Sequence, residues 1–556
     1  MNRIIAALAS CLLASTALSA TLEVPGDYAT IQGAIDAAVD GDVINIASGE
    51  YAVSGTVADL QGKAITLRGA SGPADDPTIL RNANSTMATV VISESQGGDE
   101  ATLEHLTIRR GNPGILCEDS SPTIRNCTIE QCEGRYRGGG MNLLNSSAEI
   151  VDCIITDNTH TWNNSYSAGI YISGGSPTFS GCSFTDNAGK RGGAAHVYNA
   201  TATFDDCLFE GNSANSYISG KDEIYGAGGA FYMSSQSNCV LNDCIIRGNV
   251  AVMGSKAAAN GAGIYSTSTS SATLNRCIID DNVCEISDGA GILTSSSSFS
   301  MTDCIISNNT AYDSTGGGLR LNSGADCEVV RCKFFGNAAY TGGAISVRNN
   351  ASLTLSDSIV RQNSGSQWSG PGVGGLAISD GGEAIISGTT FCENTVENEI
   401  SGEWTDAGDN DFPATCPAVT GACCIGDTCL YIDGASCDVS GGLYFGDNSL
   451  CDPWWACSNC PEGELPDCNG NCFPADWIGD SICDDGAYDH NGVLIYLDCD
   501  HYECDGGDCI CECPGDYDGD NDIDVSDLLT VIGNWDDPYD VSDLLLVISE
   551  WGNDCP

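Results

Sequence analysis

Asp516, Asp518, Asp520, Asp524 and Asp527 stand at positions 1, 3, 5, 9 and 12 of one short loop. Carboxylates at that alternation converge on a single point and supply the hard oxygen donors that calcium takes. Asp484, Asp505 and Asp508 lie among six cysteines, Cys468, Cys472, Cys483, Cys499, Cys504 and Cys509. Acids gathered in a cross-linked loop suit the same cation, so Ca2+ is the expected cofactor. A second set of residues suits sugar binding. Arg135, Tyr136, Arg137 and His160 form the one local basic group, and Trp162, Tyr166, Tyr217, Tyr225, Tyr312, Tyr340 and Trp368 stand in long variable segments. Aromatic faces there serve either as platforms for sugar rings or as packing that stiffens the segments. The spacing leaves both readings open.

The element that must position the second set is a repeated phrase. Cys-x-(Ile/Phe)-x-x-Asn recurs with its Asn at 158, 187, 212, 249, 282, 309, 337, 363 and 394. An apolar residue stands eight before each Asn, a Cys five before the first seven, with Ser358 and Thr389 in that place before the last two, and an aliphatic or aromatic residue three before. The Cys and the residue two later share a strand face, whereas the three-residue step ahead of the Cys breaks the period and implies a bend. Each repeat is therefore expected to be a coil of three short strands, and stacked coils bury a continuous core. The repeated Asn is expected to take the left-handed conformation of a sharp turn, with its amide bonded to its neighbours. A glycine pair, as in Gly228-Gly229-Ala230, allows tight curvature before the next strand. The variable segments 159–167, 213–226, 250–260 and 364–373 fall between each Asn and the glycine pair, so they should project from one rim.

The cysteines form two populations. Fourteen lie between Cys117 and Cys392 and seventeen between Cys416 and Cys555. In the first, Cys127, Cys153, Cys182, Cys207, Cys244, Cys277, Cys304 and Cys332 form a column continued by Ser358 and Thr389. Side chains stacked in parallel at strand spacing suit buried free thiols better than disulfides. Cys117, Cys132, Cys239, Cys284 and Cys327 lie off the column, where pairing with it is open. The second population has few apolar neighbours and reads as a disulfide framework.

Composition narrows the partners. Twenty basic residues against 76 acidic ones give a net charge of -56, which excludes nucleic acid and anionic membranes as general partners. Residues 1–20 read as a secretory signal: a basic start at Arg3, an apolar run from Ile4 to Leu18, and the small pair Ser19-Ala20. That run is too short for a membrane span, and the expected location is secreted, extracellular or at the cell surface.

After the signal, Ile31, Ala34, Ile35, Ala38 and Val39 fall on one helical stripe, and Val43–Ile46 reads as the first strand. This opening resembles the N-terminal cap of right-handed parallel β-helices of the pectin-lyase-like class. Phe-x-x-Asn at 184–187, 209–212, 334–337 and 391–394, alternating with Gly-Gly-Ala at 192–194, 228–230 and 342–344, resembles the repeats of polymorphic outer-membrane proteins. Both resemblances imply an all-β, right-handed parallel β-helix solenoid. In the tail, Cys504-Asp505-Gly506-Gly507-Asp508-Cys509 is similar to the closing phrase of a Notch-type calcium-binding repeat, which implies three disulfides and one calcium held by Asp484, Asp505 and Asp508. The loop from Asp516 follows the EF-hand scheme but closes on Asp527, as dockerin modules do. Asp540-Val541-Ser542-Asp543 repeats its end with half a loop missing. A dockerin resemblance implies a cohesin-like partner.

The expected organisation is a signal peptide (1–20), a β-helix with a helical cap (21–415), a cysteine-rich module (416–462), a Notch-type module (463–510) and a dockerin-like module (511–556). The function expected is that of a secreted scaffold or adhesin binding an extracellular polysaccharide or cell-surface protein. The alternative is a polysaccharide lyase or glycoside hydrolase. The Gly-His-Gly, Arg-x-x-Pro-x-x-Arg and Asp-Pro-His phrases of polygalacturonases, pectate lyases and epimerases are absent, whereas a pair of hydrolytic carboxylates leaves no phrase to read.

Overall fold

The structure is a computed structural model. It describes residues 19–416 apart from 71–76, 85, 94–100, 136, 161–166, 216–225, 253–258, 285–288, 368–369 and 396–398, and beyond them short strands between 420 and 496. The chain divides into two units, Met1–Cys416 and Pro417–Pro556.

One coil shows how the repeat folds. Thr178–Ser180, Ser183–Thr185 and Ala188–Gly189 are strands on three successive faces, and Ala195–Tyr198 makes a fourth. Single residues with left-handed backbone make the two sharp corners: Gly181 (φ 58°) before the Cys and Asp186 (φ 54°) before the Asn. Strands pair in parallel with their counterparts in the next coil, giving sheets of 15, 13, 10 and 13 strands among the described residues; the one exception, Gly370–Gly372 at the end of the ten-stranded sheet, pairs antiparallel with Ser364–Gln367. We number these faces one to four in chain order. The expectation of three strands per coil thus needs correcting. The residues directly after each Asn pair with one another and make the third face.

Contrary to the expectation from sequence, the repeated Asn does not itself turn left-handed. The residue ahead of it does: Asp157, Asp186, Gly211, Gly248, Asp281, Asn308, Gly336, Gln362 and Glu393. That residue absorbs the bend, and the Asn side chain enters the interior, where all but the last are wholly buried. Each amide Nδ2 donates to the Oδ1 of the next Asn at 2.9–3.0 Å, from Asn158 through to Asn394. It donates also to a carbonyl of the preceding coil, as Asn249 does to Phe209 O at 2.9 Å. Cys132 N–H donates to the first Oδ1, and the carboxylate of Glu399 accepts from the last amide. The amide dipoles all run one way, and an anion closes their positive end.

The cysteine column is a run of buried free thiols, as expected. Its chemistry is more specific than small size. Every thiol from Cys127 to Cys332 donates to the carbonyl two residues earlier at 3.2–3.4 Å. Ser358 and Thr389 make the same bond at 2.7 and 2.9 Å. The column therefore selects a short side-chain donor as the second partner of the corner carbonyl, which also accepts a backbone N–H from the preceding coil. C207S is expected to unfold close to the parent, and C207V to lose about 0.5–1.5 kcal/mol, because only valine takes away the second donor to Asp205 O, which keeps the N–H of Gly181 at 3.1 Å. Equal urea midpoints for the two variants would remove this explanation.

Cys117, Cys132, Cys239, Cys284 and Cys327 do not pair with the column. All are free. Cys239 and Cys327 are buried on the first face, Cys117 on the fourth and Cys284 on the third, whereas the column stands at the corner between the first and second faces. Burial pushes the thiols of Cys132 and Cys239 up to about 12.

Apolar residues fill the tube. Those eight and three before each Asn are at most 1% exposed. Phe179 stacks on Phe204 and Phe184 on Phe209, each at 4.7 Å, so like residues in neighbouring coils meet face to face. At the N-terminal end, helix Ile31–Ala37 is capped by Thr30 and buries Ile31, Ala34 and Ile35. Val39, expected on the buried stripe, is 55% exposed because the helix stops before it. The first strand is Thr21–Val24, paired in parallel with Val43–Ile46, so the stack begins one strand ahead of the helix. At the other end Phe412 stacks on Phe391, and Cys392 bonds to Cys416. Among the described residues no helix is long and apolar enough to cross a membrane.

Candidate functional site: an outward column on the fourth face

Strands of the fourth face alternate. Ile170 and Ile172 enter the core and Tyr171 points out. Because the register is unbroken from coil to coil, the outward residues form one column: Asn142, Tyr171, His196, Tyr232, Tyr265, Leu293, Arg320, Ser346 and Ala377. From Gly192 onward to Gly342, each column residue stands four places after the first glycine of its turn. The glycines explain this precision. Gly228 has φ 69°, and a Cβ on Gly229 would lie 2.3 Å from Ala262 O of the next coil. The turn is held against its neighbour with no slack, so the register cannot slip.

The first half of the column is aromatic. Ring centroids are 5.2 Å apart for Tyr171 and His196, 4.7 Å for His196 and Tyr232, and 5.5 Å for Tyr232 and Tyr265. Arg137 lies over the Tyr171 ring and Arg191 over the Tyr232 ring, each 5.6 Å from the centroid. His196 is 2% exposed, and its Nε2 lies 3.2 Å from Ser234 Oγ. Burial, with Arg191 second, pulls its pKa down to about 3, so the ring is neutral.

The second half opens into a groove of about 530 Å³ between the third and fourth faces. It is lined by Ser314, Thr315, Tyr340, Thr341, Ser346, Arg348, Ala377, Ile378, Ser379 and Ser401. Arg320 is 5% exposed and donates to Thr315 Oγ1 at 2.6 Å and toward Ser314 Oγ at 3.4 Å. Burial, then the charge of Arg348, pulls its pKa down to about 9. Arg348 pairs with Asp380 at 2.7 Å. Elsewhere on the coil arginines pair with acids of a neighbouring coil, as Arg276 does with Asp243 and Arg331 with Asp303.

The sequence-derived candidates distribute as follows. Arg137 reaches the column over Tyr171. Arg135 sits on the adjoining turn, its N–H donating to Asn112 Oδ1 at 3.2 Å. His160 belongs to the third face, where its Nδ1 lies 2.9 Å from Ala188 O and burial lowers its pKa. The basic group is larger than Arg135, Arg137 and His160, since Lys190, Arg191 and His196 adjoin it. Tyr340 lines the groove, and Tyr312 is exposed on the third face. Tyr136, Trp162, Tyr166, Tyr217, Tyr225 and Trp368 lie outside the described residues, as do Asp484, Asp505, Asp508, Asp516, Asp518, Asp520, Asp524 and Asp527. Tyr171, His196, Tyr232, Tyr265 and Arg320 were missed in the sequence. The signal was their fixed step after each glycine turn, which reads first as architecture.

Parallel coils with this corner geometry and an unbroken outward register define a right-handed parallel β-helix protein. The family description "Right handed beta helix region" matches residues 63–225, 162–304 and 223–411, more than half of the chain, and the chain belongs to that family. No curated protein matches it in sequence. Among solved structures it is similar to the mannuronan C-5 epimerase AlgE6 A-module of Azotobacter vinelandii, at 15% identity over 70% of this chain and 94% of that one, TM-score 0.35. It is similar also to pectate lyase Pel9A, at 12% identity over 72% and 82%, TM-score 0.26. A third is the Siphovirus 9NA tailspike receptor binding domain, at 10% over 71% and 76%, TM-score 0.24. At these scores the fold rests on the chain's own geometry and the family match.

Proposed function

We propose that the protein binds an extracellular polysaccharide along the outward column of its fourth face. The observation that carries this reading is the column itself: rings at successive coils, followed in the same line by a groove of hydroxyls, a guanidinium and apolar side chains. Coils repeat at about 4.8 Å, comparable with the length of a pyranose unit, so a linear glycan laid along the column meets equivalent positions in turn. Tyr171, His196 and Tyr232 are at most 8% exposed and stiffen the face, so Tyr265 and the groove are where a glycan meets an apolar ring and orienting hydroxyls. Secretion through residues 1–20, calcium at Asp516–Asp527 and near Asp484, Asp505 and Asp508, and docking to a cohesin-like partner complete the proposal and rest on the sequence.

Calorimetric titration against a polysaccharide panel tests it. Tyr265→Ala should weaken binding about 3- to 10-fold through loss of one aromatic contact. Arg276→Gln, on the corner between the first and second faces, should leave binding unchanged. Reducing ends or unsaturated uronate absorbance released from the bound glycan would replace binding with the lyase or hydrolase alternative.

A further inference from the structure

We infer that the groove at the C-terminal end of the fourth face is a subsite for one anionic group, a carboxylate or sulfate, carried on a sugar ring. The ring part rests on the glycan reading above, and the anion part rests on the groove alone.

Ser346 gives the first indication. Its side chain lines the groove, is 1% exposed, and its Oγ bonds to no protein group among the described residues. Buried hydroxyls are nearly always bonded, so this one is placed for a ligand or a water. The second indication is Arg320, its neighbour in the adjacent strand. Arg320 donates to Thr315 Oγ1 at 2.6 Å, and Thr315 lines the groove. A hydroxyl whose oxygen already accepts from a guanidinium keeps its own O–H for something else. The groove wall is thereby biased toward donors: the Thr315 hydroxyl is left to donate, the unbonded Ser346 hydroxyl can donate beside it, and Arg348, paired with Asp380, stands at the rim. A donor-rich wall selects a ligand group that only accepts, and the positive charge behind it selects an anion. The lowered pKa of Arg320 is what a poorly hydrated cation would show. Ala377, Ile378 and Tyr340 supply an apolar surface for one face of a ring. A volume of about 530 Å³ accommodates one or two sugar units.

The test uses the full chain and four probes: methyl glucuronoside, methyl glucoside 6-sulfate, methyl glucoside, and sodium sulfate with sodium acetate. Calorimetry should show the two charged glycosides binding about tenfold or more tightly than the neutral one, the worth of one charge-assisted hydrogen bond. Ser346→Leu, which fills the groove, and Thr315→Val, which removes one donor, should each weaken them by about tenfold or more. Should Ser346→Leu fail to fold by circular dichroism, Thr315→Val decides alone. Equal affinity for neutral and charged glycosides overturns the inference. So does retention of a polysaccharide on the column with both groove variants indifferent, and the glycan reading then survives. If sulfate and acetate bind as tightly as the glycosides and no polysaccharide is held, the ring and the glycan reading fall together.

Discussion

Asn249→Leu should destabilise the β-helix by about 4 kcal/mol or more, a loss centred on three coils. Asn249 sits mid-ladder, and its side chain takes part in four buried bonds. Its Oδ1 accepts from the N–H of Asn212 at 2.9 Å and from Asn212 Nδ2 at 3.0 Å. Its Nδ2 donates to Phe209 O at 2.9 Å and to Asn282 Oδ1 at 3.0 Å. Leucine has similar volume and strips a partner from all four groups. The Asn212 N–H loses its side-chain acceptor, a buried orphan worth about 1–3 kcal/mol, whereas Asn212 Nδ2 keeps Phe184 O and Asn282 Oδ1 keeps the backbone N–H of residue 249, so the other three bonds cost about 0.5–1.5 kcal/mol each. No water reaches them, since Asn212 and Asn282 are wholly buried. Repeat proteins couple chiefly between nearest neighbours. Amide exchange should therefore quicken around Asn212, Asn249 and Asn282, while the coil of Asn363 keeps its protection. Denaturant unfolding followed by residue-resolved exchange reads both effects. A midpoint shift worth less than about 1 kcal/mol would mean that apolar contact replaces the ladder, and the repeated Asn would need another reason.

Acid should loosen the aromatic half of the fourth face, and His196→Gln should remove part of that sensitivity. His196 is packed by Tyr171 and Tyr232 from the neighbouring coils and Tyr198 from its own strand, with Arg191 as the nearby cation and Ser234 on Nε2. None of these is an acid that would welcome a proton on the ring. The folded pKa, about 3, lies below the ordinary value of 6.5. Between those values the unfolded chain binds a proton that the folded chain refuses. Stability from this group is therefore complete above pH 6.5 and drains away as pH falls toward 3. A folded value of about 3 against 6.5 sets a ceiling of about 5 kcal/mol; local opening of the face lowers what is observed. His160, whose pKa is also lowered, and the protonation of many carboxylates add their own slopes. The informative quantity is thus the difference between parent and H196Q across pH 7 to 4, read by thermal unfolding. Parallel curves would mean that the ring is hydrated in solution.

Much of the architecture was legible because a solenoid repeats its constraints. The apolar positions eight and three before each Asn, the thiol column and the amide ladder each recur often enough to be read as columns, and all three enter the interior together. The corners were misread by one residue. Asn and Asp both tolerate left-handed backbone, and spacing alone does not say which neighbour takes it. The third face was hidden because its strands are only two or three residues in most coils, too short to show a period.

The site was less legible. Arg137 was picked out as part of a basic group, yet its partner Tyr171 lies 34 positions on and meets it only because consecutive coils stack. Arg320 looked like one more surface arginine, and burial beside Thr315 gives it a different chemistry. The sequence by itself determined what points inward, because burial demands a residue type and the demand repeats at every coil. Only the tertiary structure decided what points outward in line. An outward position carries no such demand, and its neighbours are set by the parallel register between coils.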